Sequence, residues 1–549
     1  MTRPDQPAAD AYAYPLLLKQ LWHSALAIHP EQEIVYRDRM RLTYRELRAR
    51  VGRLANVLAG LGVKPGDTVA VMDWDSHRYL ECFYAVPMMG AVLQTVNVRL
   101  SPEQILYTLN HARPKLLVLN DEFLPVFREI QAKLETVTVV IWVSDDGLAP
   151  PSDLPCAGEY EARVAAAAPD YEFPDFDENT RATTFYTTGT TGLPKGVFYS
   201  HRQLVLHTLG AMAALAAPAS GQRFHRGDVF MPIAPMFHAH GWSLPMVALL
   251  LGVKQVYAGR YEPAVLLNLI ARENVSFCCC VPTILQMLLS APESAATDLS
   301  RLKMVIGGSA LPVGLARAAR ARGIDVFGGY GMSETGPLLT LAQLHPHLGE
   351  LDEDTELHFR TKAGAPLPLV ELRTVDEDLR DLPQDGKATG EVVARSPWLT
   401  QGYLGQPEAS AELWQGGYLH TRDIGFLERG YLKVTDRLKD VIKTGGEWIS
   451  SVQIEDLISQ HPAVAEVAVI GVPHTKWGER PLALVVLKPG ASATEQDLKE
   501  RLLPLAAQGA ISKWAVPDRV LRVEAIAKTS VGKFDKKLLR EQYASYGSA

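Results

Sequence analysis

The sequence predicts an α/β protein: a large N-terminal domain of layered sheets and helices, followed by a small C-terminal α/β domain. Three observations carry this. Helix and strand patterns alternate along most of the 549 residues, which calls for helices packed on mostly parallel sheets. That length exceeds what one hydrophobic core fills, so several packed units share the chain. A dense charge cluster bracketed by glycines, "RGYLKVTDRLKDVIKTGGE", precedes a tail of about a hundred residues, the size of a small domain. The expected division is 1–435, a linker at 436–441, and 442–549.

The elements follow in order. Thr43 and Glu46 form a capping-box signature. Leu47, Val51, Leu54, Leu58 and Leu61 then recur at helical spacing, Gly62 ends the helix, and "TVAVM" reads as a strand. Ser101 to Gln104 starts a second helix with proline first, and "KLLVLN" is the next strand. Residues 144–180, rich in Asp, Pro and Ala, read as a surface excursion. In the tail, Ser450 and Gln453 cap the helix "VQIEDLISQ", and "AEVAVIGVP" and "LALVVL" read as strands. No fixed-period repeat interrupts the pattern.

Composition narrows the function classes. A chain 47% hydrophobic and 21% charged has the make-up of a soluble globular protein. Its net charge of −7 provides no electrostatic footprint for nucleic acid. The run Cys278 to Cys280 in "VSFCCCVP" reads as a buried strand, since adjacent residues point to opposite faces. With Cys82 and Cys156 it forms no disulfide framework and no Cys-x-x-Cys pair, which suits a reducing compartment. The N-terminus lacks the apolar core of a signal peptide, and no run reaches the ~18 apolar residues of a membrane span. A cytoplasmic protein is expected.

The stretch "YTTGTTGLPKG", Tyr186 to Gly196, is too small and polar to build core. It follows the β-favouring "RATTFY". Backbone N–H groups in such a turn converge on an anion, glycines let oxygens approach, and Lys195 adds charge. The order differs from the common P-loop, because Lys195 precedes Gly196 and no Ser or Thr follows.

This stretch resembles the signature of the adenylate-forming superfamily of acyl-CoA synthetases, peptide-synthetase adenylation domains and luciferases. Four further stretches match its motifs in order: "YGMSETGP", "GYLHTRDIG", "DRLKDVIKTGGEWIS" and "KTSVGKFDKK". The last two, with "PMFHAHGWSLP", look most like the fatty-acyl-CoA synthetase branch. The resemblance implies the adenylate-forming synthetase fold, a mobile tail domain, and ATP, Mg²⁺ and coenzyme A as co-substrates or cofactors. It implies a carboxylic acid as substrate, most simply a medium- or long-chain fatty acid, and a homodimer. A short, branched or hydroxylated acid, a carrier-protein acceptor, or a luciferase-like oxygenase are the alternatives.

The resemblance also carries roles, residue by residue. Thr187, Thr188, Gly189, Thr190, Thr191 and Lys195 would hold ATP phosphates. Tyr330, Gly331, Met332, Ser333 and Gly308 would surround AMP. Glu334, with Thr187, would hold Mg²⁺. Asp423 would accept from the ribose hydroxyls, two acceptor oxygens facing a vicinal diol, with Arg437 beside it. Lys533 would bridge carboxylate and α-phosphate; Ala527 stands where the family usually has proline. Lys439 would be the hinge, and Gly445 and Gly446 would line the pantetheine tunnel. His238 would lie near the acyl-adenylate as a catalytic residue. Trp242 would gate an acyl pocket also lined by Gly307, Ser309 and Gly331. His240 and Ser243 are expected near that pocket, and their polarity keeps the short, branched or hydroxylated acid open.

Overall fold

The computed structural model describes residues 8–187, 193–219, 221–444, 447–508, 511–528 and 534–546. The predicted helices form where capping and periodicity put them. Thr43 accepts from the Glu46 amide, and the helix runs Tyr44–Gly60 with Leu61 as its cap and Gly62 at φ +81°. Leu61 therefore lies just past the helix, not on its face. The second helix, Pro102–Ala112, carries the Ser101–Gln104 capping box. Residues 144–180 are more than a surface loop. They contribute a strand, Cys156–Glu159, and a helix, Tyr160–Ala166, whose Tyr160 and Val164 are buried. An aromatic and a branched residue on one helical face outweigh a loop-like composition.

Two large sheets make the body. A seven-stranded sheet runs in the order 156–159, 139–143, 116–120, 68–72, 92–95, 181–187, 195–200. All its pairs are parallel except the last, where Arg181–Thr187 meets Lys195–Ser200 antiparallel. A nine-stranded sheet has a parallel centre built on Val229–Pro232, Phe277–Cys280, Lys303–Ile306 and the first part of Asp325–Gly331. One large apolar cluster fuses the two, from Val71 and Val118 to Phe230 and Phe277. Each such side chain removed from water stabilises by roughly 1.5–3 kcal/mol. The three consecutive cysteines show the strand alternation: Cys279 joins this cluster, Cys278 and Cys280 another. All five cysteines are free.

A third sheet departs from the parallel expectation. Strands 371–375, 390–395, 414–415, 418–428 and 431–437 are joined by antiparallel pairs throughout. The tail has its own sheet, with strands 442–444, 447–449, 464–474, 478–487 and 519–522, and its own apolar clusters. Its first helix, Ser451–Ser459, is capped by Ser450 through the Gln453 amide.

Candidate active site

A cavity of about 1410 Å³ opens where the nine-stranded sheet, the antiparallel sheet and the tail meet. Its floor is made by chain leaving the carboxyl ends of the parallel strands, the usual place for a ligand in such sheets. Strand Lys303–Ile306 delivers Gly307, Gly308 and Ser309; strand Asp325–Gly331 delivers Tyr330 and Gly331. Strand Val229–Pro232 leads to His238 and Trp242. All seven line the cavity.

One wall is polar. Asp423 and Arg437 are register partners across an antiparallel pair whose strands are joined at Gly430, which has φ +81°. Arg437 Nε lies 3.4 Å from Asp423 Oδ1, and Tyr330 donates its hydroxyl to Oδ2 at 2.7 Å. The cross-strand register thus delivers a carboxylate and a guanidinium to one spot. Met332, Ser333 and Glu334 complete this side. Tyr199 donates to the Ser333 carbonyl at 2.6 Å and fixes the turn.

Glu334 is 6% exposed. Its Oε1 accepts from the Tyr403 hydroxyl at 2.7 Å, and burial raises its carboxyl above the ordinary range. The Lys195 ammonium lies 4.6 Å from the centre of the Tyr403 ring. Tyr403 therefore lies between Lys195 and the buried acid. Sequence reading passed over it, because a tyrosine in "TQGYLGQP" looks like any loop aromatic. Its place is set by an antiparallel bridge to Val197.

Thr187 and Lys195 also line the cavity, at the ends of the antiparallel pair. Thr188, Gly189, Thr190, Thr191, Gly445, Gly446 and Lys533 lie outside the described residues. The donor set around Glu334 suits magnesium: one carboxylate with Oε2 unengaged by other described residues, in a cavity that Thr187 also lines. Among the described residues no group of three His, Cys, Asp or Glu forms a metal cage. A cation here would need oxygens from a ligand.

The other wall is mainly apolar and close-packed. Trp242 is 4% exposed and seats against Gly307, where an added Cβ would lie 3.0 Å from Trp242 Cη2 and 3.0 Å from the Gly329 carbonyl. Gly331 is required by backbone: a Cβ there would lie 1.7 Å from the Pro337 carbonyl. Helix Pro282–Ser290 adds Thr283, Gln286 and Leu289.

The segment carrying Trp242 has unusual backbone. Ala239, His240, Gly241, Trp242 and Ser243 all have positive φ, from 44° to 62°. Each non-glycine residue there costs roughly 1–2 kcal/mol. His240 and Ser243 do not line the cavity, contrary to the expectation that they stand at the acyl pocket and keep a polar acid open. His240 packs edge-on to Phe83 and Phe185, with Nε2 2.9 Å from the Thr183 hydroxyl. Burial pulls its ring down to about 3, so it is neutral. Ser243 donates to the Gly336 carbonyl at 3.2 Å. The left-handed turn points both polar side chains into the protein to anchor it.

Lys439, Phe534, Lys536 and Lys537 also line the cavity. The run "KFDKK" is only partly a solvated charge face. Lys536 is half-buried and held between Glu455 Oε1 at 2.7 Å and the Ser451 hydroxyl at 2.6 Å. Ser451 in turn donates its amide and hydroxyl to Asp436 Oδ2, both at 2.6 Å. These bonds join the strand before Lys439 to the tail. Burial, then the Arg437 charge, lowers the Lys439 ammonium from its ordinary value.

Comparison with known proteins agrees with this layout. The family described as AMP-binding enzyme matches residues 22–404, and its C-terminal domain matches residues 453–533. A long-chain-fatty-acid–CoA ligase of Thermus thermophilus is 43% identical over 530 residues, 95% of this chain and 94% of that protein. A 3-methylmercaptopropionyl-CoA ligase of Ruegeria lacuscaerulensis is 36% identical over 540 residues, 96% of this chain and 97% of that one. The ATP-bound MatB of Rhodopseudomonas palustris superposes with a TM-score of 0.80 at 28% identity, over 96% of this chain and 99% of that one. Body and tail are matched in chain order, and relatives well above 30% identity extend along nearly the whole length: the chain belongs to the AMP-binding enzyme family.

Proposed function

We propose that the protein is an ATP-dependent acid–CoA ligase of the AMP-forming type, acting on a medium- or long-chain fatty acid. The observation that carries this is the two-sided cavity. A carboxylate–tyrosine–guanidinium wall suited to a ribose faces an apolar wall closed by Trp242. The acid's carboxylate attacks the α-phosphate of ATP and releases pyrophosphate; the CoA thiol then attacks the acyl carbon and releases AMP. Asp423 accepts from the ribose hydroxyls, and Tyr330 keeps its carboxylate oriented. Lys195 and the loop before it hold phosphate oxygens. Magnesium, when bound through Glu334 and Thr187, supplies charge neutralisation between the two anions. Lys533, from the resemblance, approaches the same anions during the first step and leaves with the tail during the second. The hinge at Lys439 and the boundaries 1–435 and 442–549 are part of this reading. So are a homodimer and a cytoplasmic setting; among the described residues no helix is long and apolar enough to cross a membrane.

A second reading is the same chemistry on a shorter, heteroatom-bearing acid. The relative named for 3-methylmercaptopropionate favours it, as do Thr283 and Gln286 on the cavity wall. A panel decides. AMP release is followed with ATP, Mg²⁺ and CoA for acids from acetate to palmitate, with branched, 2-hydroxy and thioether acids included. A maximum at eight carbons or longer supports the fatty-acid reading; a maximum at a short or substituted acid replaces it. AMP release independent of CoA for every acid refutes a CoA ligase. In the same assay, Lys533→Ala is expected to abolish acyl-AMP formation and to spare thioester formation from supplied acyl-AMP. An equal loss of both contradicts its assignment to the first step.

A further inference from the structure

Asp75 lies outside the cavity, in the loop after strand Thr68–Met72, and is 3% exposed. Its side chain binds two loops that follow strands of the other large sheet, Val229–Pro232 and Lys254–Tyr257. Oδ1 accepts the Met236 amide at 2.9 Å, and Oδ2 accepts the Tyr261 hydroxyl. Its own carbonyl accepts the Gly259 amide at 2.9 Å. No lysine or arginine pairs with it among the described residues, and burial pushes its carboxyl up to about 7. A buried acid whose hydrogen bonds come from neutral donors, with only the Arg99 charge nearby to offset burial, is costly to keep.

The segment it holds explains the cost. Met236 lies two residues before His238 and three before the left-handed turn Ala239–Ser243 that presents Trp242 to the cavity. Thr95, at the end of the neighbouring strand, donates its hydroxyl to the next carbonyl, Phe237, at 2.9 Å. The Arg99 guanidinium lies 5.9 Å from the ring centres of both Phe237 and Tyr261. A run of residues in a disfavoured conformation persists only where its surroundings over-determine it. His240 and Ser243 anchor the turn from within; Asp75 and Thr95 anchor its entry.

We propose that Asp75 is a positioning residue for acid binding: through Met236 and Tyr261 it sets the entry of the turn that places His238 and Trp242 on the acyl wall. This rests on the ligase reading. It touches none of the residues around Asp423, Glu334 or Lys195. Loss of the clamp therefore weakens the acid and leaves the nucleotide alone.

The test compares wild type, Asp75→Ala, Asp75→Asn and Tyr261→Phe, with octanoate and butyrate as acids. KM is measured separately for acid and for ATP, with Tm alongside. Asp75→Ala is expected to raise the acid KM tenfold or more while the ATP KM stays within twofold. Asp75→Asn keeps an acceptor oxygen for Met236 and is expected to recover the acid KM to within threefold. Tyr261→Phe removes one donor and is expected to raise the acid KM about threefold; it carries the test if Asp75→Ala does not fold. An unchanged acid KM in folded variants overturns the proposal. So does a parallel rise of both KM values, or a loss that Asn does not recover, since either marks general disruption. Wild type failing to activate either acid speaks against the ligase reading. The proposal is then judged by calorimetric binding of the same acids to the four proteins.

Discussion

Glu334 shows what a single residue is asked to do. It is a carboxylate held out of water beside Tyr403, and burial raises its proton affinity. The folded chain therefore keeps the proton to a higher pH than the unfolded chain. The stability linked to this group falls as pH rises from the ordinary value of 4.5 through the raised one. Glu334→Gln removes that cost and still accepts from Tyr403. Its Tm at neutral pH is expected to be unchanged or higher, while MgATP-dependent acyl-AMP formation falls roughly 10²-fold. A variant that keeps full activity would remove Glu334 from the site. Residue identity was only half legible. The motif placed Glu334, but Tyr403, about seventy positions away in the chain, is identified only by its contact. His240, beside two motif residues, proved to be an anchor for the backbone.

At the scale of elements, strand ends decide the pocket. Gly307 leaves strand Lys303–Ile306 directly beneath Trp242, and the room it leaves is one indole edge deep. Gly307→Ala places a methyl against Trp242 and against a backbone carbonyl that cannot retreat. The expected result is a shift of preference toward shorter acids, with kcat/KM for the longest accepted acid falling about tenfold and acetate unaffected. The acid panel repeated on the variant checks it; an unchanged profile would mean that the acyl chain leaves by another route. Helices were readable because capping and 3.6-residue periodicity are local. The antiparallel sheet was not, since short strands such as Trp414–Gln415 carry no periodicity and pair only because distant segments meet them. The left-handed turn was invisible too, for "AHGWS" contains one glycine where five residues take positive φ.

At the scale of the whole molecule, buried charge links distant helices. Arg50 bridges Glu81 at 2.6 Å and Glu161 at 2.7 Å, and His77 reaches Glu161 at 2.8 Å. Three helices, Tyr44–Gly60, His77–Met88 and Tyr160–Ala166, meet there. Burial pushes the Glu161 carboxyl up, but the His77 bond and the Arg50 charge more than reverse it, to about 2. A depressed carboxylate adds stability that is present above its unfolded value of 4.5 and is lost as pH falls toward 2. Denaturation midpoints are expected to drop across that window, by at most about 1.4 kcal/mol per pH unit from this group. Glu161→Gln should be less stable at neutral pH and flatter below pH ~4.5. Parallel curves for the two proteins would show that the network does not hold the acid limb.

The sequence by itself determined the α/β class, the order of the motifs and the family, because these rest on short-range patterns and on spacing along the chain. It also named Tyr330, Asp423 and Arg437, which the fold brings together on the polar wall. Only the tertiary structure decided which side chains face the cavity. Register brings Asp423 opposite Arg437, a bridge brings Tyr403 to Glu334, and a strained turn faces Trp242 inward and His240 away. Those outcomes depend on contacts between segments far apart in sequence. Their energies come from burial and hydrogen bonds that no single stretch contains.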